Sequence, residues 1–154
     1  MLSSKSLMKK VVLFGVSANP PTGLGGHQGI VQSLVNQEKY DEVWVMPVYN
    51  HIYSSKRNIL LPFSHRVNMS RLCFERESNH LCVVKVSTVE EEVSRHFAEK
   101  NESEFRVGTI DIVDYLVRCH HDVDFHLAVG LDTFLDLANK KWKESDRFVT
   151  MHAK

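Results

Sequence analysis

The residue types able to do chemistry in this 154-residue chain concentrate between Gly15 and His27, in the run GVSANPPTGLGGH. Gly15, Val16 and Ser17 stand at the end of an apolar, β-branched run from Val11 that has the length of a buried strand. Ser17 to Gly26 is turn-rich, with Asn19, Pro20, Pro21, Gly23, Gly25 and Gly26. Beyond it Ile30, Val31, Leu34 and Val35 repeat on one helical face, which places His27 at or near a helix start. A strand, a glycine-rich turn and a helix bring unpaired backbone N–H groups and the positive end of a helix dipole to the carboxyl edge of a sheet. That combination holds phosphate. An imidazole there donates a hydrogen bond to a phosphoryl oxygen, on which charge builds as the α-phosphate of a nucleoside triphosphate is attacked. Thr22 offers a hydroxyl either for a phosphate or for the backbone of its own turn.

Two familiar glycine-loop chemistries do not fit. The dinucleotide fingerprint G-x-G-x-x-G would begin at Gly23 and Gly25 but meets Gln28 where its last glycine belongs. A P-loop ends in Gly-Lys-Ser/Thr, and no lysine lies between Lys10 and Lys39.

The elements that must position this stretch follow in order. Asp41 to Val48 reads as a second buried strand, and residues 49–61 as a polar, aromatic-bearing loop of a length more often functional than not. Pro62 opens a helix with Phe63, Val67 and Phe74 at helical spacing and Arg66 and Arg71 outside. Leu81 to Val86 reads as a third strand. Ser87 to Lys100 reads as a short exposed helix, with Glu90, Glu91 and Glu92 as a solvated acidic face. Thr109 to Cys119 is a helix that Thr109 can cap, with Ile110, Val113 and Val117 on one face. Phe125 to Val129 is a strand broken by Gly130, and Leu131 to Leu137 a helix with Asp132 in its first turn. Arg147 to Met151 begins a fifth strand. Strands alternating with helices call for an α/β domain with a mostly parallel sheet of about five strands.

Composition narrows the function classes. With 43% hydrophobic and 25% charged residues the make-up is that of an ordinary globular protein, and the length suits one domain over 9–154 behind a frayed leader at 1–8. Nineteen basic against nineteen acidic side chains, with no basic stripe, argue against nucleic acid as a partner. Cys73, Cys82 and Cys119 lack C-x-x-C spacing, so neither a disulfide framework nor a zinc site is expected, and a reducing, cytoplasmic setting is. No segment reaches transmembrane length, so no membrane partner is expected. Lys5, Lys9 and Lys10 ahead of VVLFGVSA resemble a signal peptide, but cleavage there would delete the Gly15–His27 stretch, and the run is read as a core strand. The other eight histidines lack comparable context, and His120 and His121, just before a strand, read as surface residues. Oligomeric state is not legible.

Gly15, Ser17, Pro21, Thr22, Gly26 and His27 match the first motif of the nucleotidyltransferase superfamily, strand–G-x-[FS]-x-x-P-[TH]-x-G-H–helix. Thr22 and His27 are five apart where the family usually has three. More narrowly, the stretch resembles nicotinamide/nicotinate mononucleotide adenylyltransferases, and four later segments resemble the same family in the right order. MPVYNHIYSSKRN is similar to the strand-2 loop that supplies a lysine near the mononucleotide, which implicates Lys56. LPFSHRVNMSRLCFE is similar to the following helix, whose H-R-x-x-M residues are mainly structural. RVGTIDIVDYL resembles the segment Y-T-x-D-T-L, which contacts the nicotinic ring and implicates Thr109. Asp111 there can hold the helix start by a cap-like bond. LAVGLDTFLDLANKKWKESD resembles I-x-G-A-D-S-L-x-x-L-x-x-W-K.

The resemblance implies a Rossmann-like nucleotidyltransferase fold and adenylyl transfer from ATP to nicotinamide or nicotinate mononucleotide. It puts Gly15, Val16, Ser17, Gly26, His27, Gly130 and Asp132 at ATP, with His27 and Thr22 catalytic. Lys56, Thr109 and Trp142 fall at the mononucleotide, Trp142 stacking on the nicotinic ring, and Mg²⁺ travels on the ATP phosphates. The family's second phosphate motif, I-S-S-T-x-x-R at the start of a late helix, has no match, which implies a C-terminally truncated chain or a reduced triphosphate clamp. Three alternatives stay open. The acceptor is phosphopantetheine, choline phosphate or glycerol phosphate; the protein binds nucleotide without turnover in a regulatory role; or it is a redox Rossmann protein, which the failed fingerprint and the absence of an acidic residue at Val48–Tyr49 disfavour.

Overall fold

The computed structural model describes residues 8–50, 59–100 and 107–139. Within them the chain runs β1 (Lys9–Val16), α1 (His27–Asn36), β2 (Glu42–Pro47), α2 (Phe63–Phe74) with a 3-10 turn at Glu75–Glu77, and β3 (Val83–Val86). It continues through α3 (Val89–Glu99), α4 (Thr109–Cys119), β4 (Val123–Ala128) and α5 (Leu131–Ala138). The four strands are all parallel, in the order β3-β2-β1-β4. Phe14 lies between Val45 of β2 and Ala128 of β4, so β1 is central.

Alternation along β1 explains the layering. Val11 and Leu13 point to one face, where they meet Val89, Val93, Ile110, Val113 and Leu116 of α3 and α4. Val12, Phe14 and Val16 point to the other, against Val31, Leu34 and Val35 of α1 and Phe74 of α2. Period-2 strands thus serve two helical layers, and a strand buried on both faces reads as an unbroken apolar run. The chain steps from β1 outward to β2 and β3, then returns to place β4 on the far side of β1. That reversal opens a crevice beyond the carboxyl ends of β1 and β4, where ligands bind in such sheets.

At the opposite, amino edge, the nearly buried Glu42 carboxylate accepts from Lys85 Nζ at 2.8 Å, Lys9 Nζ at 3.3 Å and Trp44 Nε1 at 2.6 Å. This knot ties β1, β2 and β3 together and leaves the carboxyl edge free for chemistry.

Several expectations need correction. Arg66, expected outside its helix, is 1% exposed. Ile30 is exposed while Gln28 is buried, because Gln28 Nε2 reaches Glu77 Oε1 at 2.7 Å and rotates the buried face of α1 toward α2. Val117 is exposed, and Leu116 takes its place in the core. Gly108, not Thr109, is the N-cap of α4, and its N–H donates to Asp111 Oδ2 at 2.8 Å, the cap-like role expected of Asp111. His121 is exposed, but His120 is half-buried, edge-on to Trp44 at 5.4 Å between ring centroids. The acidic face of α3 is not wholly solvated, since Glu90 Oε2 accepts the Tyr49 N–H at 2.8 Å. The expected fifth strand, Arg147 to Met151, lies outside the described residues.

Candidate functional site

The carboxyl end of β1 leads into the turn at residues 17–26, and α1 begins at His27 itself. Two reciprocal bonds fix His27 in place. The Thr22 N–H donates to His27 Nδ1 at 3.1 Å, and the His27 N–H donates to Thr22 Oγ1 at 2.8 Å. Accepting at Nδ1 sets the neutral imidazole in the tautomer with its proton on Nε2. Burial lowers the His27 pKa from its ordinary value, which favours that neutral form. His27 Nε2–H is therefore a hydrogen-bond donor at the start of α1, whose own first amides are taken up inside the turn: Gln28 N–H by Thr22 O, Gly29 N–H by Gly23 O and Ile30 N–H by Gly26 O, besides His27 N–H by Thr22 Oγ1.

The five-residue spacing between Thr22 and His27 closes into this compact turn because the glycines permit it. The Gly26 N–H donates to Gly23 O at 2.9 Å and the Gln28 N–H to Thr22 O at 3.0 Å. A Cβ on Gly26 would stand 2.2 Å from Thr22 Oγ1, and one on Gly29 would stand 2.0 Å from the Leu24 carbonyl oxygen. Gly15 and Gly130 face open space instead, with nothing within 4 Å of a Cβ built on either. Those two glycines leave room for a ligand rather than for the protein's own atoms.

The other wall comes from the end of β4. Gly130 is the N-cap of α5, and the exposed Asp132 lies in that helix's first turn. An open groove of about 710 Å³ runs along α1 beside the end of β4, lined by Leu24, Ile30 and Leu127 together with polar Gln32, Ser33 and Tyr40 among others; it touches the turn at Gly25 and Gly26 but does not include Gly15, His27, Gly130 or Asp132.

The far side of the turn is anchored by Arg66. Its Nε donates to Leu61 O at 2.8 Å, Nη1 to Ser17 O at 2.9 Å and Val48 O at 2.6 Å, and Nη2 to Tyr49 O at 3.3 Å. Asn19 adds two bonds, donating through Nδ2 to Ile59 O at 2.9 Å and accepting the Leu61 N–H at 2.8 Å. Glu90 faces this cluster; burial pushes its carboxyl up to about 7, against the opposing pull of the Tyr49 N–H and the Arg66 charge.

The structure therefore brings Gly15, Ser17, Thr22, Gly26 and His27 together on one wall and sets Gly130 and Asp132 across the crevice. The Val16 side chain is buried in the core, leaving only its backbone for a ligand. Thr109 is the first residue of α4, which feeds directly into β4 and so starts toward the carboxyl edge. Lys56 and Trp142 lie outside the described residues. Sequence reasoning missed Gly29, Asn19, Arg66 and Glu90. The H-R-x-x-M pattern marked Arg66 as structural, but nothing in it says that the guanidinium turns inward.

Parallel strands with a glycine turn after β1 and a crevice at the β1/β4 reversal define a Rossmann-like α/β domain with the nucleotidyltransferase fold. The comparisons narrow this further. Over 139 residues the chain is 30% identical to a probable nicotinate-nucleotide adenylyltransferase of Myxococcus xanthus, covering 90% of this chain and 62% of the relative. Over 136 residues it is 28% identical to a protein of the same name from Desulfotalea psychrophila, covering 88% and 57%. The chain thus spans about three fifths of the length of these relatives. In structure it superposes on the Plasmodium falciparum nicotinic acid mononucleotide adenylyltransferase complexed with NaAD, with TM-score 0.67 and 20% identity over 92% of this chain and 60% of that one. The same enzyme complexed with APC gives TM-score 0.66 and 19% identity over 92% and 59%. No protein-family model matches the chain.

Proposed function

We propose that this chain carries the adenylyl-transfer site of a nicotinate-nucleotide adenylyltransferase, acting on ATP and nicotinate mononucleotide. The observation that carries the reading is the Thr22–His27 pair at the start of α1, which occupies Nδ1 and leaves the Nε2–H as the donor next to the carboxyl end of β1. The names borne by the sequence relatives, and the NaAD complex of a structural neighbour, favour the nicotinate over the nicotinamide form.

In this reaction a phosphate oxygen of the mononucleotide attacks the α-phosphorus of ATP. The new P–O–P bond forms as the bond to the bridging oxygen breaks, and pyrophosphate leaves with that electron pair. No protein nucleophile is required; positioning and electrostatic stabilisation suffice. His27 Nε2–H and the Thr22 O–H supply donors to the phosphoryl oxygens, with the positive end of the α1 dipole beside them. Gly15 and Gly130 allow close approach, Asp132 binds the nucleotide, and Lys56, Thr109 and Trp142 hold the mononucleotide. Among the described residues no three His, Cys, Asp or Glu side chains form a metal cluster. The site suits an ion that arrives on the ATP phosphates, with exposed Asp132 as an available carboxylate. Mg²⁺ held there would neutralise phosphate charge.

Among the described residues no helix is long and apolar enough to cross a membrane. The test is to offer the chain MgATP with nicotinate and nicotinamide mononucleotides in parallel, and phosphopantetheine as a third acceptor, following pyrophosphate and dinucleotide together. Equal release of pyrophosphate and deamido dinucleotide is expected, fastest with the nicotinate form. Faster turnover with phosphopantetheine would replace the acceptor, and ATP binding without product would leave a binding protein.

A further inference from the structure

A buried guanidinium that gives all its bonds to backbone carbonyls is costly to place, since a charge leaves water for neutral partners. The Arg66 partners are not scattered. Ser17 belongs to the turn after β1; Val48 and Tyr49 begin the connection after β2; Leu61 ends it. Asn19, from the same β1 turn, holds Ile59 and Leu61 at that far end. Glu90, at the start of α3, takes the Tyr49 N–H at the near end. Both ends of the β2 connection are therefore tied to the turn that leads to Thr22 and His27.

We propose that Asn19 and Arg66 are positioning residues, a clamp that fixes the base of the β2 connection against the β1 turn and so sets the distance between the two substrates. The proposal rests on the adenylyl-transfer reading, in which ATP lies at the β1 turn and the mononucleotide at the β2 connection. In-line attack needs the two reacting atoms held near contact, and a misplacement of about 1 Å costs on the order of a hundredfold in rate. Neither residue touches a reacting atom. Each acts through the backbone of the turn and the connection on which the adenylyl-transfer reading seats the substrates, and the clamp is set before substrate arrives, so its effect falls on the chemical step more than on either affinity.

Two variants and two readouts test this. Asn19→Ala deletes both of its bonds from a half-buried position, and Arg66→Lys keeps the charge but cannot reach four carbonyls. Asn19→Ala is expected to lower kcat at least about tenfold with KM for ATP within about threefold. It should bind ATP with full stoichiometry, and Asn19→Asp, which keeps the Leu61 acceptor, should recover part of the rate. The Leu61 amide should exchange its hydrogen faster in Asn19→Ala, which removes its acceptor, and in Arg66→Lys, which frees the Leu61 carbonyl. A kcat within about twofold of the parent in Asn19→Ala, or a rate loss matched by lost ATP-binding stoichiometry, overturns the positioning role. Unchanged exchange at Leu61 overturns the clamp itself, and that readout is independent of turnover. An unmodified chain that binds nucleotide yet transfers nothing sinks the adenylyl-transfer reading instead.

Discussion

Thr22 and His27 hold each other across the glycine turn, each donating its backbone N–H to the other's side chain, at 3.1 and 2.8 Å. The Thr22 hydroxyl oxygen thus does for the first helical amide what an N-cap side chain does, from four residues further back than a cap stands. Thr22→Val removes that acceptor and is expected to cost about 1 kcal/mol in urea denaturation and to lower kcat. Thr22→Ser keeps the oxygen and should restore both.

Replacing His27 separates donor from scaffold. His27→Ala keeps the backbone N–H bonded to Thr22 but loses the Nε2–H, so kcat should fall about a hundredfold or more while KM for ATP changes little. A rise in KM at unchanged kcat would move His27 from the transition state to simple binding.

Two carboxylates at opposite ends of the sheet give opposite pH signs. Burial pushes the Glu42 carboxyl up, but its bonds from Lys85, Trp44 and Lys9 outweigh burial and leave the pKa below its ordinary value. The unfolded state then binds the proton more readily, so this stability is present above the ordinary carboxylate pKa and is lost as pH falls through the folded value. Glu42→Gln should flatten the acid limb of thermal melts and, lying at the amino edge, leave the kcat of the folded protein unchanged.

Glu90 behaves the other way. Its folded pKa is raised to about 7 from 4.5, chiefly by burial. The folded state holds the proton through that interval while the unfolded state gives it up, so its contribution is full below the ordinary pKa and is lost as pH rises through about 7. Glu90→Gln keeps an acceptor for the Tyr49 N–H and should gain Tm over the parent as pH rises from about 5 to about 8.

The glycines divide by what their missing Cβ would meet. Gly29→Ala must displace the Leu24 backbone, 2.0 Å from the new carbon, and should lower stability in urea denaturation by about 2 kcal/mol or more. Gly15→Ala meets nothing within 4 Å and should melt within a few degrees of the parent, yet weaken ATP binding measured by calorimetry.

How far the sequence carried is visible in these same residues. The Val11–Val16 run, the turn and the helix start at His27 were legible because strand, breaker and helix each leave a local pattern, and the parallel α/β plan followed from their alternation. Gly26 and Thr22 were legible from their motif, and the mutual bonding with His27 became visible only in the folded turn. Arg66 was misplaced because helical periodicity assigns a charged residue to the water side, whereas carbonyls from two distant segments, at Ser17 and at Val48–Tyr49, converge on it together with that of nearby Leu61. Asn19 and Glu90 belong to the same long-range cluster, separated in sequence by more than seventy residues, and no local pattern records it. The inward turn of Gln28 likewise depends on Glu77, a partner across the fold.

The most direct measurement of the central claim is label transfer from ATP carrying radioactive phosphorus at the α position, with nicotinate mononucleotide and Mg²⁺, in the parent chain and in His27→Ala. The label should appear in the dinucleotide at a rate the substitution cuts about a hundredfold, with all β- and γ-phosphorus leaving as pyrophosphate. Label that stays in ATP, or a dinucleotide formed equally fast by His27→Ala, would contradict it.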